Sequence, residues 1–169
     1  MRIRRVYSSF SDKKTVLQSD HMATLAENRK ARFDYEILES LEAGIKLLGF
    51  EVKALKSHRG IFEGSHISIR EGEAWLLNFA IPPYQIENTP KDYEERRKRK
   101  LLLNKKEIAY LATKEEERGL TIIPISMYNK GNLVKVQIAI VRGKKTFDKR
   151  ESIKKRDVDR DLRRDLRDR

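Results

Sequence analysis

Apolar and polar positions alternate along residues 33–47, FDYEILESLEAGIKL, with Phe33, Tyr35 and Ile37 separated by Asp34, Glu36 and Leu38. A period of two predicts a strand. In 46–58, KLLGFEVKALKSH, Leu47, Leu48, Phe50, Val52 and Leu55 fall near helical spacing and lead into the Gly-containing HRGIFEG. A short helix is expected there. SHISIREGEAWLLNFAI reads as two strands around EGE (71–73), with Gly72 in the turn. Pro82 and Pro83 then stop the sheet, because proline has no N–H for the ladder.

Residues 91–119 are strong helix formers without internal Gly or Pro, so they are expected to be helical. Thr89 or Asp92 caps the start in this reading, and Gly119 takes the C′ position. Asn104 followed by Glu107 has the form of a capping box, so the segment is either one helix or two meeting at Asn104. Leu101, Leu102 and Leu103 are read as core packing, at least two of the three. LTIIPISMYNKGNLVKVQIAIV is a hairpin turned by NKGN, residues 129–132. Short strands with helices between them predict a mainly β protein, an OB-like antiparallel barrel with helices on its surface.

Composition divides the chain in three. Residues 1–27 are expected to be a disordered leader; 1–21 are basic and Ser-containing and lack the apolar run of a secretory signal. Met22 opens a natural second start, and an organelle-targeting segment is the other reading of that stretch. Residues 28–141 form the barrel. Residues 142–169 are a basic tail. The chain has no cysteine, which excludes disulfides and thiolate chemistry, and His21, His58 and His66 lack metal-ligand spacing. No cofactor or metal is expected. No apolar run reaches the ~18 residues of a membrane helix, so a cytoplasmic protein without a membrane partner is expected.

Charge sharpens the picture. The net charge of +12 points to a polyanionic partner, nucleic acid before membrane. The tail carries half of that excess. Ile153, Val158, Leu162 and Leu166 make a thin apolar stripe in it. Asp159–Arg163 and Asp165–Arg169 add i,i+4 pairs with the acid leading, the favourable order. The tail is therefore either a solvated end or a helix that forms only when an anionic groove holds it. RRKRK (96–100), placed on the expected helix, is either a phosphate-facing block or a solubilising one. Glu42, Glu71, Glu73 and Asp92 show no spacing for acid–base or metal work, and no phosphate loop, GxSxG or HExxH occurs. An enzyme is not expected.

Four blocks, EAGIKLLGFEVKAL, GEAWLLNFAIPPY, RKRKLLLNKKEI and GLTIIPISMYNKGNLVKVQIAIVRGKKTFDKR, resemble in order the SsrA-binding protein (SmpB) family. The resemblance runs from about Asn28 to the end. It implies an OB-like barrel with about three flanking helices and a tail that becomes helical on the ribosome. It also implies a function without catalysis: binding the tRNA-like domain of tmRNA and delivering it to stalled ribosomes for trans-translation. Elongation factor Tu and alanyl-tRNA synthetase would then be indirect partners through tmRNA. By the same resemblance Glu42, Leu102 and Asn104 bind tmRNA, with Lys100 and the basic lead-in Asn28, Lys30 and Arg32. Gly143, Lys144, Lys145, Asp148, Lys149, Arg150 and Ile153 match the tail segment that enters the mRNA channel and decoding centre. Phe147 and His66 depart from the family's usual residues. Two other readings remain beside this one: a general OB-type RNA-binding protein, and an RNA-processing enzyme.

Overall fold

The computed structural model describes residues 23–145. The elements are β1 (Thr24–Glu27), α1 (Ala31–Asp34), β2 (Tyr35–Ile45), α2 (Gly49–Lys56), β3 (His66–Arg70), β4 (Glu73–Leu77), β5 (Arg99–Leu102), α3 (Lys105–Glu116), β6 (Leu120–Lys130) and β7 (Leu133–Gly143). All strand pairings are antiparallel. Strand order is β1-β6-β3-β4-β5-β2-β7, and β6 pairs back onto β7, which closes the sheet into a barrel. One edge of β6 runs along β7; the other is shared between β3 at Ile122 and β1 at Ser126–Tyr128. This is the expected OB-like antiparallel barrel with three helices.

Two hairpins follow the sequence closely. Glu71 (φ 52) and Gly72 (φ 72) both take left-handed backbone in the β3–β4 turn, the paired geometry that suits a two-residue hairpin. Gly131 (φ 60) turns β6 into β7. Pro124 sits inside β6 next to a register shift between Pro124 and Ser126, a position that spares the ladder its missing N–H.

Strand alternation sorts the hairpin's side chains onto two faces. Ile122, Val136, Ile138 and Ile140 point into the barrel, where they pack with Leu55, Leu76, Phe79, Leu101 and Leu111. Ile123, Ile125, Ala139 and Val141 face outward and are covered by Ala31 of α1 and Tyr35. The outer face of β6–β7 is therefore a second, smaller core.

Three expectations need correction. The barrel begins at Thr24, inside the stretch 1–27 assigned to a leader. Leu25 is buried and β1 is hydrogen-bonded to β6, so these residues are part of the fold. The barrel also runs past residue 141: Gly143 pairs with Tyr35, and Lys144 N donates to Asp34 O at 3.0 Å. Finally, residues 91–104 are not helical. Helix α3 begins only at Lys105, and Arg99–Leu102 form β5, so neither Thr89 nor Asp92 caps a helix and RRKRK does not lie on one. Propensity lost to pairing here: β5 fills the gap between β4 and β2, and without it the barrel would stay open. Leu101 goes into the core and Leu103 packs against it, whereas Leu102 points out.

Candidate nucleic-acid interface

The pairing registers put a short row of residues across the outside of three strands. Gly44 of β2 lies opposite Lys135 of β7 on one side and opposite Leu102 of β5 on the other. Their neighbours Ala43, Ile45, Val136 and Leu101 are buried in the barrel, so the row itself faces outward. Leu102 is 56% exposed, unusual for a leucine within a strand. The glycine has a steric reason: a Cβ at residue 44 would come within 3.1 Å of Leu102 Cβ.

Glu42 stands two residues before Gly44 on the same face. It is not a bare acid. Tyr128 donates its hydroxyl to Glu42 Oε2 at 2.6 Å, Lys130 Nζ donates to both carboxylate oxygens at 3.1 Å, and Lys135 Nζ lies 3.8 Å away. The Tyr128 hydrogen bond, with the two lysines, holds the Glu42 carboxyl below its ordinary range despite some burial. Burial and the Glu42 bond push the Tyr128 phenol well above its own. Glu42 lies within a strand, so these three side chains, and not a helix dipole, hold its charge. Glu42 thus collects one phenol and two ammonium groups beside the Gly44–Leu102 row.

Asn104 follows Leu102 by two residues and is the N-cap of α3. Its Oδ1 accepts from Glu107 N, and its own N–H donates to Glu107 Oε2, both at 2.9 Å, so the expected capping box is present. This leaves the Asn104 Nδ2 donor without a partner among the described residues. Lys100, on the outer face with Leu102, is ion-paired to Glu73 and lies opposite Trp75. Lys98 Nζ sits 5.1 Å from the Trp75 ring centre.

The basic lead-in is more structural than its charge suggests. Both ends of the Asn28 amide are occupied: Nδ2 donates to Pro124 O at 3.1 Å and Oδ1 accepts from Ala31 N at 3.1 Å. Asn28 thereby staples α1 to the bulge in β6. Lys30 is exposed and pairs loosely with Glu63 at 3.5 Å. The Arg32 side chain is exposed, while its carbonyl accepts from Lys144 Nζ at 2.9 Å. At the root of the tail, Glu36, Arg142, Gly143, Lys144 and Lys145 line an open cleft of about 400 Å³. Asp148, Lys149, Arg150 and Ile153, with Phe147, lie outside the described residues.

Within RRKRK the charges divide. Arg99 is fully buried: Nε donates to Glu51 Oε1 at 2.9 Å, one terminal amine donates to Phe79 O at 2.5 Å, and the other donates to Glu95 O at 2.9 Å and to Tyr93 OH at 3.2 Å. Arg97 donates to both Glu51 oxygens, and Leu48 N to Oε2 at 2.7 Å. These two arginines tie the 78–99 segment to α2 and are not free for a ligand. The clue in the sequence was period two: Arg99 and Leu101 point in, Lys98, Lys100 and Leu102 out. The same alternation in LVKVQIAIV would have shown Lys135 and Gln137 facing outward. Among the described residues no group of three or more metal-ligating side chains occurs, and no helix is long and apolar enough to cross a membrane.

Comparison with known proteins places the chain in a family. The sequence model of the SmpB protein family matches residues 25–168. An SsrA-binding protein of Gloeothece citriformis is 46% identical over 147 residues, 87% of this chain and 95% of that protein. One of Chlorobaculum tepidum is 48% identical over 140 residues, 82% and 88% of the two chains. A chain in a solved structure described as "tmRNA-SmpB: a journey to the center of the bacterial ribosome" superposes with a TM-score of 0.61 at 46% identity, covering 71% of this chain and 84% of that one.

Proposed function

Because this chain belongs to the SmpB family, we propose that it is an adaptor that binds the tRNA-like domain of tmRNA and carries it to stalled ribosomes for trans-translation. It works by binding and not by catalysis, in the cytoplasm, where elongation factor Tu and alanyl-tRNA synthetase meet it only through tmRNA. The observation that carries this at residue level is the Lys135–Gly44–Leu102 row with Glu42 and Asn104 beside it. Folded RNA is read through phosphates, sugar hydroxyls and unstacked bases. The row offers one group for each. Leu102 packs on an unstacked base. Gly44, having no side chain, leaves room for Leu102 to lie across it. Asn104 Nδ2 donates to a base edge or 2′-hydroxyl. Lys130 and Lys135 meet phosphate, and Glu42 orients both, which answers how an acid can sit on an RNA face. Lys100 extends the row, and Lys30 and Arg32 add exposed charge near the tail root. Asn28 acts by holding α1.

The tail supplies the ribosomal end. Gly143 and Lys144 are tied to β2 and α1, which anchors the root of the tail on the barrel. Lys145, Asp148, Lys149, Arg150 and Ile153 then line the empty mRNA channel and decoding centre.

The test is a pull-down of the native protein followed by RNA sequencing, with tmRNA expected as the enriched species. Equal displacement by bulk tRNA would leave only a general RNA-binding protein. Truncation from residue 146, which spares every described contact, is expected to keep tmRNA affinity and abolish tagging on stalled ribosomes.

A further inference from the structure

Beyond the C-terminal end of α2, Arg59, Tyr84, Gln85, Ile86, Glu87 and Asn88 are among the residues that line an open concavity of about 570 Å³. The proposed tmRNA-binding row uses none of them. The Arg59 guanidinium is fixed by two carbonyls, Pro83 O at 3.1 Å and Tyr84 O at 3.3 Å, and lies 5.8 Å from the Tyr84 ring centre. The Tyr84 residue is still 37% exposed, and Ile86 is 85% exposed.

The loop is held in shape by its own bonds. Thr89 Oγ1 donates to Gln85 O at 2.7 Å, and Asn88 Nδ2 donates to Gln85 Oε1 at 2.6 Å. This last bond turns the two amides into one unit. Asn88 Oδ1 and Gln85 Nε2 stay unpaired among the described residues, an acceptor and a donor side by side. Such a pair complements the polar edge of a nucleobase. An aromatic ring braced by a guanidinium is the usual platform for an unstacked base. Glu87 in the lining disfavours phosphate inside the concavity and favours the base itself. Lys53 and Lys56, exposed on α2 six and three residues before Arg59, have no ion-pair partner among the described residues and suit the flanking phosphates.

We propose that this concavity binds one unpaired nucleobase of the same RNA that the Gly44–Leu102 row holds, stacked on Tyr84 and read by the Gln85–Asn88 amide pair. The proposal rests on the RNA-binding reading above. Helix α2 has eight residues and is about 12 Å long. That helix separates Gly44 from Arg59 along the chain, and its length is within the span of the roughly 4–16 nucleotides an OB fold contacts.

The experiment measures binding of tmRNA to the full chain by Tyr84→Ala, Tyr84→Phe, Asn88→Ala and Asn104→Ala, with melting temperature as the folding control. Tyr84→Ala is expected to weaken binding about tenfold, the scale of one lost stacked base. Tyr84→Phe keeps the stack and is expected to bind like wild type. Asn88→Ala breaks the amide pair, leaves the ring in place and is expected to lose affinity to a smaller degree. If Tyr84→Ala and Asn88→Ala bind tmRNA like wild type while Asn104→Ala is weakened, the concavity is not an RNA site and the adaptor reading stands. The same holds if Tyr84→Ala loses only a protein partner. If all the variants bind like wild type, the RNA-binding surface itself is misplaced.

Discussion

Glu51 of α2 and Arg99 of β5, 48 residues apart in sequence, are both fully buried and meet at 2.8 Å. Around them Arg97, Tyr93, the Leu48 amide and the carbonyls of Phe79 and Glu95 satisfy the remaining donors and acceptors. Two arginines face one carboxylate, so the second positive charge sits with Arg97, which reaches partly into solvent. The network holds the segment between β4 and β5 onto the helix and sets where β5 enters the barrel.

Breaking the pair from one side strands a charge in the interior. Arg99→Met is expected to cost about 3–5 kcal/mol in urea unfolding. Combining it with Glu51→Leu should cost less than the two single changes summed. Strict additivity would mean that the two residues do not act as a pair.

The same carboxylate makes stability depend on acid. Burial alone would raise the Glu51 pKa; the bonds from Arg97, Leu48 N and Arg99 outweigh it and leave the value lowered. A lowered carboxylate contributes stability that is present above its unfolded pKa and lost as pH falls through the folded one. Wild-type stability should therefore drop on acidification below the ordinary carboxylate range. Glu51→Gln, weaker at neutral pH, should show a shallower drop. Parallel curves would rule out this origin.

At the alkaline end the phenols report on their acids. Tyr110 donates to Glu39 Oε2 at 2.7 Å, which pushes its pKa up to about 12. Tyr128 is raised further, by burial and by Glu42. A raised phenol adds stability below its unfolded pKa, and that contribution is lost as pH climbs through the folded value. Ultraviolet titration should show these two, together with Tyr93, which burial and Glu51 also raise, ionising late among the six tyrosines. Glu42→Gln should bring Tyr128 only part of the way down, because burial remains.

Asn104 caps α3, and in the proposed interface its amide also donates to RNA; an alanine there removes both at once. Asn104→Ala removes the cap, at about 1 kcal/mol, together with the free amide donor. Asn104→Ser keeps an N-cap of comparable quality and removes the amide donor without adding charge. Near-normal melting with weakened tmRNA binding in Asn104→Ser is the expected result. Normal binding would recast Asn104 as a cap alone.

Leu102 gives the cleanest contrast between stability and binding. It is exposed, so Leu102→Ala should change stability by no more than about 0.5 kcal/mol. Binding to tmRNA should fall all the same. Lys130→Gln and Lys135→Gln should also weaken binding, each lowering the salt slope by about 0.7–0.9 if it neutralises one phosphate. An unchanged slope would place both lysines off the phosphate path.

What the sequence determined by itself was local. Alternation set the strands of both hairpins, left-handed residues such as Gly72 and Gly131 set their turns, and the Asn104–Glu107 spacing set the start of α3. The four family blocks identified the kind of protein. Tertiary structure decided what depends on partners far along the chain. Residues 99–102 have the side chains of a helix, yet they pair as a strand because β4 and β2 leave a vacancy that only they can fill. Arg99 looks like a surface charge until Glu51, 48 residues away, is brought beside it. Glu42 looks like an isolated acid until the curl of β6 and β7 delivers Tyr128, Lys130 and Lys135 to its carboxylate. Periodicity reports which face a side chain takes. Only closure of the barrel determines what stands opposite.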